Sequence, residues 1–168
     1  EMSREVRRVP SNWQHPKNNN GRYRPILDGY KSALNDWKVG YAKWERDELG
    51  DFDKKLKASG REYWDYAGNP PSRDEYMPDW PESERTHWQM YETTSEGTPI
   101  SSPMSSPDEL AQWLADTGAS AFGGMTATKE QWLSMIGVGS SLCGMVMDKN
   151  GTMKSGVEVV AETNGGRK

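Results

Sequence analysis

Apolar and polar positions along the chain predict a series of helices and strands. The clearest pattern begins at Tyr30, after which apolar residues recur every three or four positions, as on one face of an α-helix. We expect this helix to end at Gly50, because glycine commonly follows the last helical residue. The apolar face of this helix is predicted to pack against the protein core. The alternative is that it forms a groove that binds a partner helix or a stacked base. Its apolar residues are Tyr30, Leu34, Trp37, Tyr41 and Trp44, and the opposite face carries Lys31, Asp36, Lys38, Lys43 and Asp47.

The segments after this helix are less regular. A second, weaker helix is predicted over residues 51–59, with its end at Gly60. Residues 67–83 contain four prolines, and proline disfavours helical backbone in the residue before it. We therefore expect a long, acidic, irregular connection, which Tyr76 and Trp80 would pin to the body of the protein.

Residues 86–94 alternate loosely and are rich in Thr, Trp and Tyr, a composition that predicts a β-strand. Trp88, Met90 and Glu92 would face one side of this strand, and His87, Gln89 and Tyr91 the other. The strand leads into residues 93–103, the densest cluster of small hydroxyl side chains in the chain.

Two capping motifs predict further helices. The run from Ser106 to Glu109 has an N-cap serine, a proline at the first helical position and a glutamate three residues after the cap, which predicts a capping box. This helix would end at Gly118. The run from Thr128 to Gln131 has the same spacing and predicts a helix that ends before Gly137.

The C-terminal region predicts a hairpin. Residues 145–147 (Met-Val-Met) and 157–160 (Val-Glu-Val-Val) lie on either side of Asn150-Gly151, the strongest short signal for a tight β-turn. We expect residues 165–168 to be a frayed tail.

The N-terminal segment, residues 1–29, predicts an extended arm, because three prolines and an Asn/Gly run oppose regular helix. Its Trp13, Tyr23, Ile26 and Leu27 are too apolar for a solvated tail, so the arm should dock on residues 30–164. The predicted fold is a single α+β domain. Trp-rich helices would pack on a small antiparallel sheet, which includes the 86–94 strand and the C-terminal hairpin.

Composition narrows the class of protein. The 168 residues suit one domain, and 8 Trp, 7 Tyr and 9 Met can build a core that few aliphatic residues would otherwise supply. With 27% charged and 33% hydrophobic residues, we expect no membrane span and no signal peptide. The single cysteine, Cys143, excludes an internal disulfide and suits a reducing compartment, so we expect a cytoplasmic protein.

Charge is distributed unevenly, since the first 31 residues are rich in bases whereas residues 32–128 are rich in acids. The arm's bases, interleaved with Trp13 and Tyr23, could bind a nucleic acid; alternatively, they tether the arm to the acidic body. The acidic body itself favours a basic host protein as partner. The residues predicted to bind that partner are Asp74, Glu75, Asp79, Trp80, Glu82 and Glu84.

Motifs for metal and cofactor binding are weak. His15 and His87 are the two histidines, and neither has a second ligand at metal-binding spacing. Asp148 begins a run that resembles a calcium loop, but Val159 stands where the bidentate glutamate belongs, so a hairpin is the better interpretation. We expect neither a metal nor a cofactor.

Two weaker sites are predicted near the 86–94 strand. His87 and Glu92 are candidate catalytic residues, against the alternative of a surface histidine and a self-bonded turn. A nucleotide-like ligand could bind between the 93–98 loop and the Gly-rich turn before Thr128; the alternative is that Thr128 only caps its own helix. The candidate ligand-binding residues are Tyr91, Thr93, Thr94, Ser95, Glu96, Thr126 and Thr128.

Several long sequence segments carry a resemblance to a known family. They are residues 9–16, 23–28, 91–101 and 114–123, together with 128–136. Together they resemble a family of small uncharacterised proteins of tailed phages and prophages. The resemblance implies work in the host bacterial cytoplasm during infection and carries over no catalytic residue. Small phage proteins without catalytic motifs often block a host component. We therefore expect an accessory protein that binds a host protein and inhibits an antiviral defence system. The alternatives are a protein that binds a nucleotide or nucleotide signal, an enzyme that uses His87 and Glu92, and a virion or assembly component.

Overall fold

The computed structural model describes residues 4–92, 97–121, 123–139, 145–147 and 152–165. Helices and antiparallel strands are mixed along the chain, so the predicted α+β class is confirmed. The strands are β1 (Arg4–Val9), β2 (His87–Glu92), β3 (Thr98–Pro99), β4 (Met145–Met147) and β5 (Met153–Ser155). The helices are α1 (Tyr30–Glu45), α2 (Asp51–Ala58), α3 (Tyr63–Ala67), α4 (Pro107–Asp116), α5 (Lys129–Val138) and α6 (Gly156–Gly165).

The chain divides into two compact units, one of Glu1–Pro25 with Asp79–Lys168 and one of Ile26–Pro78. We call the second the helical unit, because it contains α1, α2 and α3. The first 25 residues of the predicted arm therefore belong to the same unit as the C-terminal half of the chain.

A three-stranded antiparallel sheet in the order β1-β2-β3 organises the first unit. The arm begins as β1, which pairs along the whole of β2, from Arg4 opposite Glu92 to Val9 opposite His87. Beyond β3 the chain continues beside β2, and the backbone groups of Trp88 and Met104 exchange two hydrogen bonds of 2.9 and 2.8 Å. Thus β2 lies at the centre of this sheet.

The predicted sides of β2 are confirmed. Met90 lies in the main core, which α4, α5 and α6 cover, and Trp88 packs against that core. Tyr91 is also fully buried, although it points to the opposite face of the strand. The arm covers that second face, which explains why Gln89, Met90 and Tyr91 are all buried in succession.

The C-terminal region differs from its prediction in two ways. Strands β4 and β5 pair with each other in a separate two-stranded ladder, so the hairpin is not part of the β2 sheet. Residues 157–160 are helical because Ser155 and Glu158 form a capping box, in which Ser155 N donates to Glu158 Oε2 (2.7 Å) and Glu158 N donates to Ser155 Oγ (3.3 Å). The Asn150-Gly151 turn and residues 166–168 of the predicted tail lie outside the described residues.

Two helix boundaries and one cap also need correction. Glu109 does not complete the predicted capping box, since its carboxylate accepts hydrogen bonds from the amide and hydroxyl of Ser105 instead. Helix α5 has the predicted box at Thr128 but ends at Val138, where Gly139 takes a left-handed φ of 96°. Helix α1 ends at Glu45 rather than Gly50, and Asp47 has a left-handed φ of 58° just beyond it.

Aromatic rings form the interior of the helical unit. The apolar face of α1 contacts Tyr63 of α3, whose ring centroid lies 5.4 Å from that of Trp37, 5.7 Å from Tyr41 and 5.8 Å from Trp44. The predicted contact of the apolar face is thus confirmed, although of its five residues Trp44 alone is buried and the others are half-buried; the polar face of α1 is exposed. The irregular connection is pinned as predicted at Tyr76, which packs on Tyr30 at 5.4 Å between ring centroids. Among the described residues, no helix is both long and apolar enough to cross a membrane.

Candidate functional site

A cavity of about 640 Å³ lies in the first unit, between the arm and the segment that follows β3. We call it the arm groove. The arm supplies residues 13–17 and Tyr23, β2 supplies Gln89, residues 99–103 form the opposite wall, and Trp113 of α4 completes it. Three aromatic side chains, Trp13, Tyr23 and Trp113, and several polar groups therefore face one concave space.

A tight turn shapes the arm at the groove. Lys17 and Tyr23 form an isolated antiparallel bridge, and Arg24 N donates to Pro16 O at 3.0 Å. Gly21 lies within the turn with a left-handed φ of 79°, a conformation that glycine adopts without strain. Pro10, Pro16 and Pro25 prevent the arm from forming a helix, so an extended backbone lines the groove.

The hydroxyl of Tyr91 joins the arm to β2. It accepts a hydrogen bond from Trp13 Nε1 (3.1 Å), lies 3.2 Å from His15 Nδ1, and donates to Gln89 Oε1 (3.0 Å). Gln89 Nε2 in turn donates to the carbonyl of Ser101 at 2.7 Å. A continuous path of hydrogen bonds thus runs from the arm through β2 to the opposite wall of the groove.

His15 is buried in this path. Its Nε2 lies 2.6 Å from the carbonyl oxygen of Arg24, and a carbonyl can only accept, so Nε2 carries a hydrogen. Burial lowers the pKa of His15; the bond to the Arg24 carbonyl opposes this shift, and the charges of Arg7 and Arg24 add to it. The imidazole is therefore mainly neutral at pH 7, with Nδ1 as an acceptor. Because the Tyr91 hydroxyl has one hydrogen, His15 Nδ1 and Gln89 Oε1 are alternative acceptors for it.

The N-terminal bases hold the arm in place. Arg4 Nε donates to Ser120 O at 2.8 Å. The Arg7 guanidinium lies 4.3 Å from the ring centroid of Tyr91 and its Nε pairs with Glu5 at 3.0 Å. Arg8 covers the ring of Trp88 at 4.2 Å and donates to the carbonyl of Arg85. These three arginines therefore tether the arm to the rest of the first unit. The sequence left this role open as the alternative to nucleic-acid binding.

The predicted catalytic pair is not brought together. His87 and Glu92 stand at opposite ends of β2, five residues apart, which is roughly 17 Å at about 3.3 Å per residue. Because side chains alternate along a strand, the two also point to opposite faces. The hydroxyl of Thr86 lies 2.9 Å from His87 Nδ1. This arrangement gives no acid–base pair.

The predicted ligand-binding residues fall into three groups. Tyr91 is fully buried beneath the arm and does not line the groove. Thr126 is exposed, and Thr128 uses its hydroxyl to cap α5 by accepting from Gln131 N at 3.3 Å. Thr93, Thr94, Ser95 and Glu96 lie outside the described residues. Of the predicted loop, the structure places Thr98 and the following residues beside the arm.

The predicted partner-binding residues are divided between the two units. Asp74 and Glu75 are exposed in a short 3-10 turn of the helical unit. In the first unit, Asp79 pairs with Arg85 at 3.4 Å and Glu82 lies 3.9 Å from Arg8. Trp80 packs edge-on against Trp13, with ring centroids 4.7 Å apart, so it supports the arm. The exposed 3-10 turn Glu82–Glu84 contains the last of these acids, Glu84.

No group of three or more His, Cys, Asp or Glu residues is placed to hold a metal ion in the described part of the chain. Cys143 and Asp148 lie outside that part. The groove residues that sequence reasoning missed are His15, Gln89, Ser101 and Trp113. The sequence indicated these residues only indirectly. The apolar residues of the arm predicted that it docks on the rest of the protein, but no local sequence pattern predicted the docking position. Comparison of the chain with protein-family models, curated proteins and solved structures finds no match.

Proposed function

We propose that the protein binds a small molecule with a flat ring in the arm groove. The observation that carries this proposal is the convergence of Trp13, Tyr23 and Trp113 on one cavity of about 640 Å³. Small-molecule sites have volumes of about 300–1,000 Å³ and combine aromatic walls with a few polar groups that fix orientation. The groove replaces the 93–98 loop and the Gly-rich turn as the proposed site.

The polar groups of the groove favour binding over catalysis. The hydroxyl of Ser101 accepts from Met90 N at 3.0 Å and donates to Ser102 O at 2.9 Å. The Ser101 hydroxyl therefore donates its hydrogen to a carbonyl oxygen. In an activated serine nucleophile, a general base would accept that hydrogen instead. His15 is held between Arg24 and Tyr91, so it orients the arm.

We expect ring-bearing ligands to raise the melting temperature of the protein. A ligand at 100 times its Kd adds about 2.7 kcal/mol to the free energy of unfolding. The panel would contain nucleosides, nucleotides, flavins and aromatic amino acids, followed by calorimetry of any compound that shifts the transition. Tyr23→Ala should weaken binding by about 3- to 10-fold, because an aromatic contact contributes about 0.5–1.5 kcal/mol.

Tyr66→Ala is the matched control for this measurement, since Tyr66 in the helical unit is 45% exposed and Tyr23 is 44% exposed. Affinity should be unchanged in the control. A panel that shifts no transition, or equal losses in both variants, would contradict the proposal.

A second candidate function is the binding of a host cytoplasmic protein, with inhibition of a defence system as its purpose. The observation that favours it is the exposure of large aromatic side chains on α2 and α3 of the helical unit. Phe52 is 69% exposed, and Trp64 and Tyr66 are each 45% exposed. Exposed aromatic residues are common anchors of protein interfaces.

Affinity capture from infected host cells tests this second function with two variants. Phe52→Ser with Trp64→Ser should reduce capture of a specific host protein at least 10-fold, because it removes two anchors. Asp74→Lys with Glu75→Lys tests the predicted acidic surface, and loss of capture there would show that charge also contributes. Equal capture by both variants and the unmodified protein would rule this function out.

A further inference from the structure

A second cavity, of about 460 Å³, adjoins the arm groove. The two cavities share Lys17 and Tyr23 in their walls. Arg22 and Thr98 line the second cavity and not the groove. Because the two cavities share Lys17 and Tyr23, a ligand that contacts Tyr23 in the groove lies next to a space bordered by two cations.

The turn that carries these cations is well defined. Asn18 N donates to Arg22 O at 2.8 Å, and Arg22 N donates back to Asn18 Oδ1 at 3.0 Å. Gly21 N also donates to Asn18 O at 3.0 Å. These bonds order the backbone of the turn between Lys17 and Arg22, so both cations are carried by one defined turn before any ligand binds.

Both cations are available to an anion. Lys17 and Arg22 are exposed, and neither forms an ion pair with a described carboxylate. The Lys17 ammonium instead lies 4.9 Å from the ring centroid of Tyr23. Among the described residues that line this cavity, none is acidic. The site is thus locally positive in a protein of net charge −4.

We propose that this second cavity is the anion subsite of the arm groove, and that the ligand is a nucleotide whose phosphate contacts Lys17 and Arg22 while its base lies among the groove's rings. The inference rests on the proposed function, which supplies the ring site. Arginine and lysine are the side chains that recognise phosphate best, because guanidinium binds two oxygens at once and ammonium provides a compact charge.

The number of available cations favours a mononucleotide over a nucleic acid. A nucleic acid gains affinity from many phosphate contacts along a basic track. Of the six bases between residues 4 and 24, Arg4, Arg7 and Arg8 are used as tethers and Arg24 is half-buried, which leaves Lys17 and Arg22 as the exposed pair at the cavity. Two neighbouring cations suit one short phosphate group.

Calorimetry with nucleosides and their 5′-monophosphates and 5′-triphosphates tests the inference. For at least one base, we expect the nucleotide to bind about 10-fold or more tightly than its nucleoside. Arg22→Ala should reduce this difference at least 3-fold and leave nucleoside affinity unchanged, because Arg22 lines the second cavity and not the groove. Lys38→Ala removes the same charge from the exposed face of α1 and should leave the difference intact.

The outcomes separate the two proposals. Equal affinity for nucleoside and nucleotide in the unmodified protein would overturn the anion subsite and leave the ring site standing. The same follows if only another class of ring compound binds, or if a ten-nucleotide RNA binds at least 10-fold more tightly than the mononucleotide. Failure of every ring compound to bind would overturn both.

Discussion

Replacement of Tyr91 by phenylalanine is expected to lower the free energy of unfolding by about 2–4 kcal/mol, although it removes a single oxygen atom. That oxygen is the shared partner of Trp13 Nε1, His15 Nδ1 and Gln89 Oε1, at 3.1, 3.2 and 3.0 Å. Trp13 Nε1 would lose its acceptor, and Gln89 Oε1 or His15 Nδ1 would lose the one hydroxyl hydrogen, in a region where His15, Gln89 and Tyr91 are buried. An unsatisfied buried polar group costs about 1–3 kcal/mol, so the loss should exceed that of one ordinary hydrogen bond.

Chemical denaturation monitored by tryptophan fluorescence measures this loss. Tyr23→Phe is the control, since Tyr23 is 44% exposed in the unmodified protein, where water is accessible to its side chain. The control should change stability by less than about 0.5 kcal/mol. Equal stability of Tyr91→Phe and the unmodified protein would mean that the Tyr91 hydroxyl does not hold the arm in solution.

The same hydroxyl shows why the candidate site was only partly predictable. The alternation of residues 87–92 predicted the side of β2 on which Tyr91 lies, because strand periodicity is a local property. It could not predict that Trp13 and His15 cover that side, since they are 78 and 76 residues away in the sequence. The apolar character of the arm predicted docking; the docking place depends on contacts that leave no local pattern.

Capping motifs were predictable for the opposite reason, since they join residues three positions apart. Thr128 and Gln131 form the predicted box. Ser155 and Glu158 form another with the same spacing, but the valine-rich run 157–160 beyond an Asn-Gly pair favoured a strand. A capping motif and a hairpin signal competed for the same residues, and in the folded protein Val157 is buried in the main core of the first unit.

Gly40→Ala is expected to destabilise the protein by about 1–3 kcal/mol, even though alanine is favoured over glycine inside a helix by about 1 kcal/mol. Gly40 lies in α1 against Tyr63. A Cβ atom at position 40 would overlap the Tyr63 hydroxyl oxygen and lie 3.1 Å from Cζ of the same ring. The ring cannot move away easily, because Trp37, Tyr41 and Trp44 pack around it at 5.4–5.8 Å between centroids.

Gly137→Ala is the matched control, because Gly137 is a helical glycine of α5 whose added Cβ would have no atom within 4 Å. It should stabilise the protein by about 0.4–1 kcal/mol, so the two substitutions are expected to have opposite signs. Tyr63→Phe removes the overlapping oxygen and should recover part of the loss when it is combined with Gly40→Ala. A double-mutant cycle in chemical denaturation measures this coupling. Stabilisation by Gly40→Ala, or independent effects of the two substitutions, would mean that Tyr63 does not pack against α1 as closely as the structure has it.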